Sequence, residues 1–283
     1  RSATKDPVMI EFAYTLQCGK NMSYQYLKIT KDGPIATVSF NRPEKANAAN
    51  FGLIAELEQA SLSFRDDLET RVVIFTGEGN NFCSGMDLSD SNEDYGHTVL
   101  EQRRNTRIGG RASRALCDID QITICAWKGA AVGGGAVIAT ATDFRVGTTT
   151  ARICYPEVVL GINLMWFGLP LIVHLVGPAR AKRLVAGAEW LNAEQMLDWG
   201  LLDELTEDGD PMPVAREWAQ RYADKPPIAV QMIKQSVNKI ASALDHSIMH
   251  MDVDQKVFAQ STNDKQESVR AYIAKEDATI IGV

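Results

Sequence analysis

No stretch of this chain reaches the ~20 consecutive apolar residues that a membrane-crossing helix needs. The longest apolar run, Val159 to Val173, is interrupted by Gly161, Asn163, Gly168 and Pro170, so no membrane partner is expected. Positive charge is scarce: 29 Lys and Arg stand against 36 Asp and Glu, a net charge of −7. Nucleic-acid binding draws its affinity from basic surface that displaces counterions, and this balance excludes it as a main role. A polyanionic small ligand remains allowed, because it needs only a local patch. Cysteine is sparse too. Cys18, Cys83, Cys117, Cys125 and Cys154 are scattered, odd in number and without metal-ligand spacing, and they read as reduced thiols of a cytoplasmic protein. His246 and His250 can share a helix face, but no third ligand accompanies them; exposed histidines are the better reading and no metal is expected. The first 21 residues lack a signal-peptide profile, since acidic residues and Gln17 break their apolar stretch. A regular pattern begins at Met22, and residues 1–21 are expected to be an extension outside the fold.

The most informative stretch runs from Trp127 to Gly168. An apolar run ends at Gly133-Gly134-Gly135 and is followed by a helical segment, Ala136 to Thr142. Three glycines strip the turn of side chains, so backbone N–H groups can approach a bound group closely. The unpaired N–H groups of the helix start point to the same place, which suits a phosphate or an oxygen that becomes negative during a reaction. Past it, Ala151-Arg152-Ile153 reads as a short strand, and Pro156-Glu157 sets a carboxylate where it ends.

Around that centre the pattern alternates. Tyr24–Thr30 and Ile35–Phe40 read as strands joined by a Lys31-Asp32-Gly33-Pro34 turn. Ala46 to Asp66 has helical periodicity, Arg71 to Gly77 is a buried strand, Val99 to Ala115 an arginine-rich helix, and Ile122 to Trp127 another buried strand. This predicts a layered α/β domain with a parallel sheet. After Gly168 the pattern is helical: Leu169–Leu175, Gly177–Ala186, Asn192–Trp199, Met212–Asp224, then, past the Lys225-Pro226-Pro227 break, Ile228–Ala243 and His246–Gln260. The expected division is a core over 22–224 and a C-terminal helical region over 225–283.

Four motifs in order carry a family resemblance: Asn41-Arg42-Pro43-Glu44 with Asn47-Ala48; Phe82-Cys83-Ser84-Gly85-Met86-Asp87-Leu88; Gly133-Gly134-Gly135 with Asp143; and Tyr155-Pro156-Glu157 with Gly161. Gly187, Ala193 and Gly200-Leu201-Leu202 continue the series, with Glu267, Ala271-Tyr272 and Lys275 a weaker C-terminal match. From about Tyr24 to Lys275 the chain resembles the crotonase, or enoyl-CoA hydratase/isomerase, superfamily. The resemblance implies an α/β fold with a crotonase-type ββα spiral core, and a C-terminal helical region that assembles a homotrimer or a dimer of trimers. It implies an acyl-CoA thioester as substrate, with coenzyme A as part of that substrate and no bound cofactor. The backbone N–H groups of Met86 and Gly134 would form the oxyanion hole, and Glu157 would be the catalytic acid/base. Lys45, Ala46, Ala48, Cys83, Ser84, Gly85, Asp87, Leu88 and Gly133 would line the CoA path.

The sequence also departs from the family. Its hydratases carry two glutamates; Glu157 matches the second, but Val137 stands at the place of the first, where it can neither orient water nor take a proton. The glycine-rich segment expected after Gly161 is replaced by the bulky Ile162-Asn163-Leu164-Met165-Trp166-Phe167, which is expected to reshape the acyl pocket; Val137 and Trp166 are candidate substrate contacts, and Trp166 and Phe167 read equally as core filler or substrate wall. Glu276 replaces a basic residue after Lys275. A single carboxylate favours double-bond isomerisation; hydration, C–C lyase or hydrolase chemistry, and a CoA-binding homologue without catalysis are the alternatives.

Overall fold

The computed structural model describes residues 23–87, 98–207 and 209–283. The expected extension 1–21, Leu88 and the polar segment 89–97 lie outside the described residues. The chain begins with a hairpin: β1 (Leu27–Asp32) pairs antiparallel with β2 (Ile35–Phe40). Asp32 stands opposite Ile35, so Gly33-Pro34 is a two-residue turn, with Gly33 in the left-handed conformation that such turns require. Helix α1 (Phe51–Ser63) crosses to β3 (Val72–Gly77), parallel to β2. The helix starts later than the expected Ala46, because Ala46 and Asn47 are left-handed and Asn50 caps it, its side chain accepting from Leu53 N–H. The arginine-rich segment forms α2 (Val99–Asn105) and α3 (Arg107–Cys117), meeting at the buried Thr106.

Next come β4 (Ile122–Trp127), the short β5 (Ala130–Val132), α4 (Gly134–Thr140), β6 (Phe144–Thr148) and β7 (Arg152–Cys154). Helix α5 (Gly168–Ala186) kinks at Gly177, ahead of Pro178, where the sequence pattern also divides. Then β8 (Leu191–Asn192), α6 (Ala193–Asp198), β9 (Glu204–Thr206) and α7 (Met212–Ala223) complete the α/β part. The larger sheet has the order β1-β2-β3-β4-β6-β9, parallel beyond the hairpin, and β5-β7-β8 form a second, smaller sheet.

Strands β3 and β4 are buried along their whole length, which explains their uncharged, mostly apolar sequences. Alternate residues serve two cores. Val73 and Phe75 join α1, α3, α4 and α5 on one face; Val72, Ile74, Ile122 and Ile124 meet Ala215, Ala219 and Ala223 of α7 on the other. The C-terminal part holds α8 (Pro227–Ala241), α9 (His246–Met249), α10 (Asp252–Gln260) and a helix not expected from the sequence, α11 (Asn263–Ala274). These do not share one exposed apolar face. Ile233, Val237, Ile240 and Leu244 are between 56% and 80% exposed. Met249 is buried and Val253 and Val257 are half-buried, because α10 turns toward the chain's own α2 and α11 packs on the turn Glu157–Leu160. No described helix is long and apolar enough to cross a membrane.

Candidate active site

Three backbone segments meet at the front of α4. The first is the turn 42–49. Arg42 N–H donates to Asn47 Oδ1 (2.9 Å), while Asn47 Nδ2 donates to the carbonyls of Glu78 (2.9 Å) and Asn81 (2.8 Å). The fully buried Asn47 is thereby satisfied on both ends, and it stabilises the left-handed turn that Ala46 shares with it.

The second segment, 83–87, is stitched between that turn and β5. Cys83 donates to Ala130 and accepts from Val132; Ser84 donates to Ala46; Ala49 donates to Gly85 (2.7 Å), and Asp87 donates back to Ala49 (2.8 Å). In such a parallel bridge the two residues flanking Met86 bond Ala49, so Met86 turns its own N–H the other way. No described residue accepts from it. The turn onto β5 demands glycine at 85, where φ is +91° and a Cβ would stand 2.7 Å from the Val132 carbonyl oxygen and 3.9 Å from Gly134 N. Gly85, the neighbour of Met86, therefore lies against the start of α4. Gly134, first residue of α4, also donates to no described residue. Two adjacent unpaired donors are the arrangement that stabilises a developing oxyanion.

The third segment carries the carboxylate. Glu157 opens the turn after β7, and its Oε1 stands 2.8 Å from where a Cβ on Gly133 would be. Its Oε2 is buried without a hydrogen-bond partner among the described residues, and burial pushes the carboxyl up to about 7. A carboxyl that loses and regains a proton near neutrality suits general acid/base work.

The remaining expected residues divide. Asp87 is buried and holds Arg42 (3.1 Å) and Lys45 (2.8 Å), so its carboxylate anchors the turn. Ala48 accepts from Arg42, and Ser84 Oγ donates weakly to the Lys45 carbonyl (3.4 Å). Leu88 lies outside the described residues. Asp143 accepts from Thr123 and pairs with Lys234 of α8 (2.7 Å), far from a catalytic posture. Val137 is fully buried, with Cγ2 against Gly168; Trp166 is 7% exposed and its ring lies on Gly134. His246 meets the Phe167 ring edge-on, and no three described His, Cys, Asp or Glu side chains are grouped to hold a metal. The four described cysteines are unpaired, and burial pushes Cys83 and Cys154 up to about 11 and Cys117 up to about 12.

Two residues that sequence reasoning missed face this region from α10. Asp252 accepts from the N–H groups of Trp166 and Phe167 (3.4 Å for the latter), and burial lifts it to about 6. Lys256 donates to Thr106 Oγ1 (3.2 Å), and burial, with Lys265 nearby, lowers it to about 8. The signal was available: the two charges are spaced i, i+4, one face of a helix.

Comparison with known proteins places the fold in a family. The family described as enoyl-CoA hydratase/isomerase matches residues 30–280. A short-chain-enoyl-CoA hydratase of Clostridium acetobutylicum is 31% identical over 251 residues, 87% of this chain and 94% of that protein. A 1,2-epoxyphenylacetyl-CoA isomerase of Escherichia coli K12 is 28% identical over 88% of this chain and 95% of its own length. In fold, the crystal structure of an enoyl-CoA hydratase from Mycobacterium avium subsp. paratuberculosis superposes with a TM-score of 0.80 at 21% identity, covering 92% of this chain and all of that one. The chain belongs to the enoyl-CoA hydratase/isomerase family, the crotonase superfamily, and has its α/β fold with C-terminal helices.

Proposed function

We propose that the protein relocates a double bond in an enoyl-CoA thioester, with Glu157 as its single acid/base and the Met86 and Gly134 amides holding the thioester oxygen. The observation that carries this reading is the buried, unpartnered Oε2 of Glu157 beside two unpaired donors, with no second carboxylate at Val137. Glu157 takes a proton from one carbon of the acyl group, the negative charge moves onto the thioester oxygen between the two amides, and the proton returns to another carbon. Each donor to such an oxyanion contributes about 3–4 kcal/mol to transition-state stabilisation. The 42–49 turn and the 83–87 loop would carry the nucleotide and pantetheine of coenzyme A.

The names of relatives favour hydration about as much as isomerisation, and one observation supports that second reading. Asn163 Oδ1 is buried without a hydrogen-bond partner among the described residues, an acceptor that a water molecule can satisfy. The test is a panel of 2-enoyl-, 3-enoyl- and 2,4-dienoyl-CoA thioesters in heavy water. Double-bond migration with deuterium uptake supports isomerisation. Robust hydration with no migration in any substrate overturns it. We further propose, from the exposed apolar face of α8, that the 225–283 region contributes subunit contacts in a trimer or a multiple of it.

A further inference from the structure

Trp166 and Phe167 both have φ of +63°. Bulky residues adopt this left-handed conformation only where their surroundings over-determine it. The surroundings are specific. The N–H groups of the two residues are both directed to one acceptor. The Asp252 carboxylate of α10 stands there, 8% exposed, accepting from both N–H groups. Phe167 is also the residue that caps α5, so Asp252 ties the start of one long helix to another.

The held conformation puts the Trp166 indole in a seat made by two glycines. The ring lies 2.5 Å from where a Gly134 Cβ would stand, and its pyrrole edge fills the space of a Cβ on Gly109 of α3. A glycine pair inside a helix weakens it, and seating the indole explains why Gly109 is there. Beside the indole lies a cavity of about 220 Å³, lined by Met165, Met249 and Val253 and by the arginines of α2 and α3. The indole therefore fills the space between Gly134 of α4 and Gly109 of α3, directly beside the Gly134 amide.

We propose that Trp166 is the end wall of the acyl site, that Asp252 holds the wall in place without touching substrate, and that the protein acts on short acyl chains. This rests on the acyl-CoA reading above. The test measures binding of saturated butanoyl-CoA and decanoyl-CoA by calorimetry, for the natural protein and for Trp166→Ala, Asp252→Ala and Asp252→Asn. The natural protein is expected to favour butanoyl-CoA by roughly tenfold or more, and Trp166→Ala to move the ratio toward decanoyl-CoA by a similar factor, the scale on which a few methylenes are discriminated. Asp252→Ala should move the ratio the same way, and Asp252→Asn, which keeps an acceptor oxygen, should stay nearer the natural value. A purely structural carboxylate would weaken both ligands alike. An unchanged ratio in Trp166→Ala, or equal binding of both ligands by the natural protein, overturns the wall; an unchanged ratio in folded Asp252→Ala overturns the role of Asp252. If that variant does not fold, Asp252→Leu, which fills the space without accepting a hydrogen bond, takes its place, and an unchanged ratio there overturns the role instead. Because saturated thioesters do not react, the ratio is readable whether or not any enoyl-CoA is turned over. Absence of turnover therefore counts against the proposed reaction alone.

Discussion

Glu157 sits over Gly133, its Oε1 2.8 Å from the place a Cβ there would occupy. The carboxylate and the bare turn are one requirement: a side chain at 133 would strain a backbone with φ of +51° and displace the Glu157 carboxylate at once.

Replacing Glu157 with Gln is expected to lower turnover of the enoyl-CoA substrate by at least roughly two orders of magnitude, the scale of a lost general acid/base. Binding of a saturated acyl-CoA should be preserved. Near-natural turnover in a folded variant would move the chemistry to another group.

The same carboxyl has a pH signature in activity and in stability, with opposite slopes. As a base it must be ionised, so kcat/KM for proton abstraction should climb as pH passes about 7. The fold favours its protonated form, so the stability it contributes is complete below its ordinary 4.5 and is lost as pH rises through about 7, by up to ~3 kcal/mol. Glu157→Gln escapes this loss. Urea unfolding of both proteins at about pH 5 and about pH 8 should show the variant gaining stability relative to the natural protein as pH rises; a variant that loses ground, or a difference that does not move, contradicts the assignment.

Val137→Glu restores the second glutamate of the family's hydratases in name only. Val137 is fully buried, and its Cγ2 is 2.6 Å from the place of a Cβ on Gly168. The new carboxylate is expected to cost roughly 3 kcal/mol or more as an uncompensated buried charge and to add no hydratase activity. Crotonyl-CoA hydration rising well above the natural level would show that the pocket accommodates it.

The glycine pair of α3 separates packing from propensity. Gly109→Ala drives a methyl into the Trp166 indole and is expected to cost about 1–3 kcal/mol. At Gly110 a Cβ meets only the Phe167 ring, at 3.9 Å, so Gly110→Ala should gain up to about 1 kcal/mol of helix propensity. Thermal or urea unfolding of the two variants tests the order; equal effects would remove the seat from the account of Trp166.

Assembly is testable by light scattering. Helix α8 leaves Ile228, Met232, Ile233, Val237 and Ile240 each more than half exposed, a contiguous apolar surface of the kind that marks an interface. A mass of three chains, or a multiple of three, is expected at micromolar concentration, and a single-chain mass would refute it.

Much of this was legible in advance. Strands β3 and β4 announced themselves because burial on both faces leaves no charged residue in the run and only Thr76 and Thr123 among the apolar ones, and the Asn192 cap and the Gly177-Pro178 kink are local chemistry. The glycine turn and Glu157 could be brought together because the strand that pairs beside the turn, Arg152–Cys154, runs straight into Pro156-Glu157, and Gly133 N–H donates to Cys154. The misses are tertiary. Strands β6 and β9 are short and paired with distant partners. The start of α1 was displaced by a left-handed turn that Asn47 holds through contacts some thirty residues away. Asp252 looked like an ordinary helix-surface acid, since nothing near it in sequence says that Trp166 and Phe167 turn their amides toward it.

The hydrogen bonds of Asn47 carry a practical lesson for anyone recombining this chain with its relatives. One side chain splices the turn at 42–47 to the stretch 78–81, and the next residues along, 83–87, are laced back to 46–49. The two segments are separated by a helix and a strand, yet they behave as a single exchangeable cassette. A chimera that imports one of them alone would leave a buried amide facing foreign carbonyls; a crossover that carries both from 42 through 87 would leave it intact.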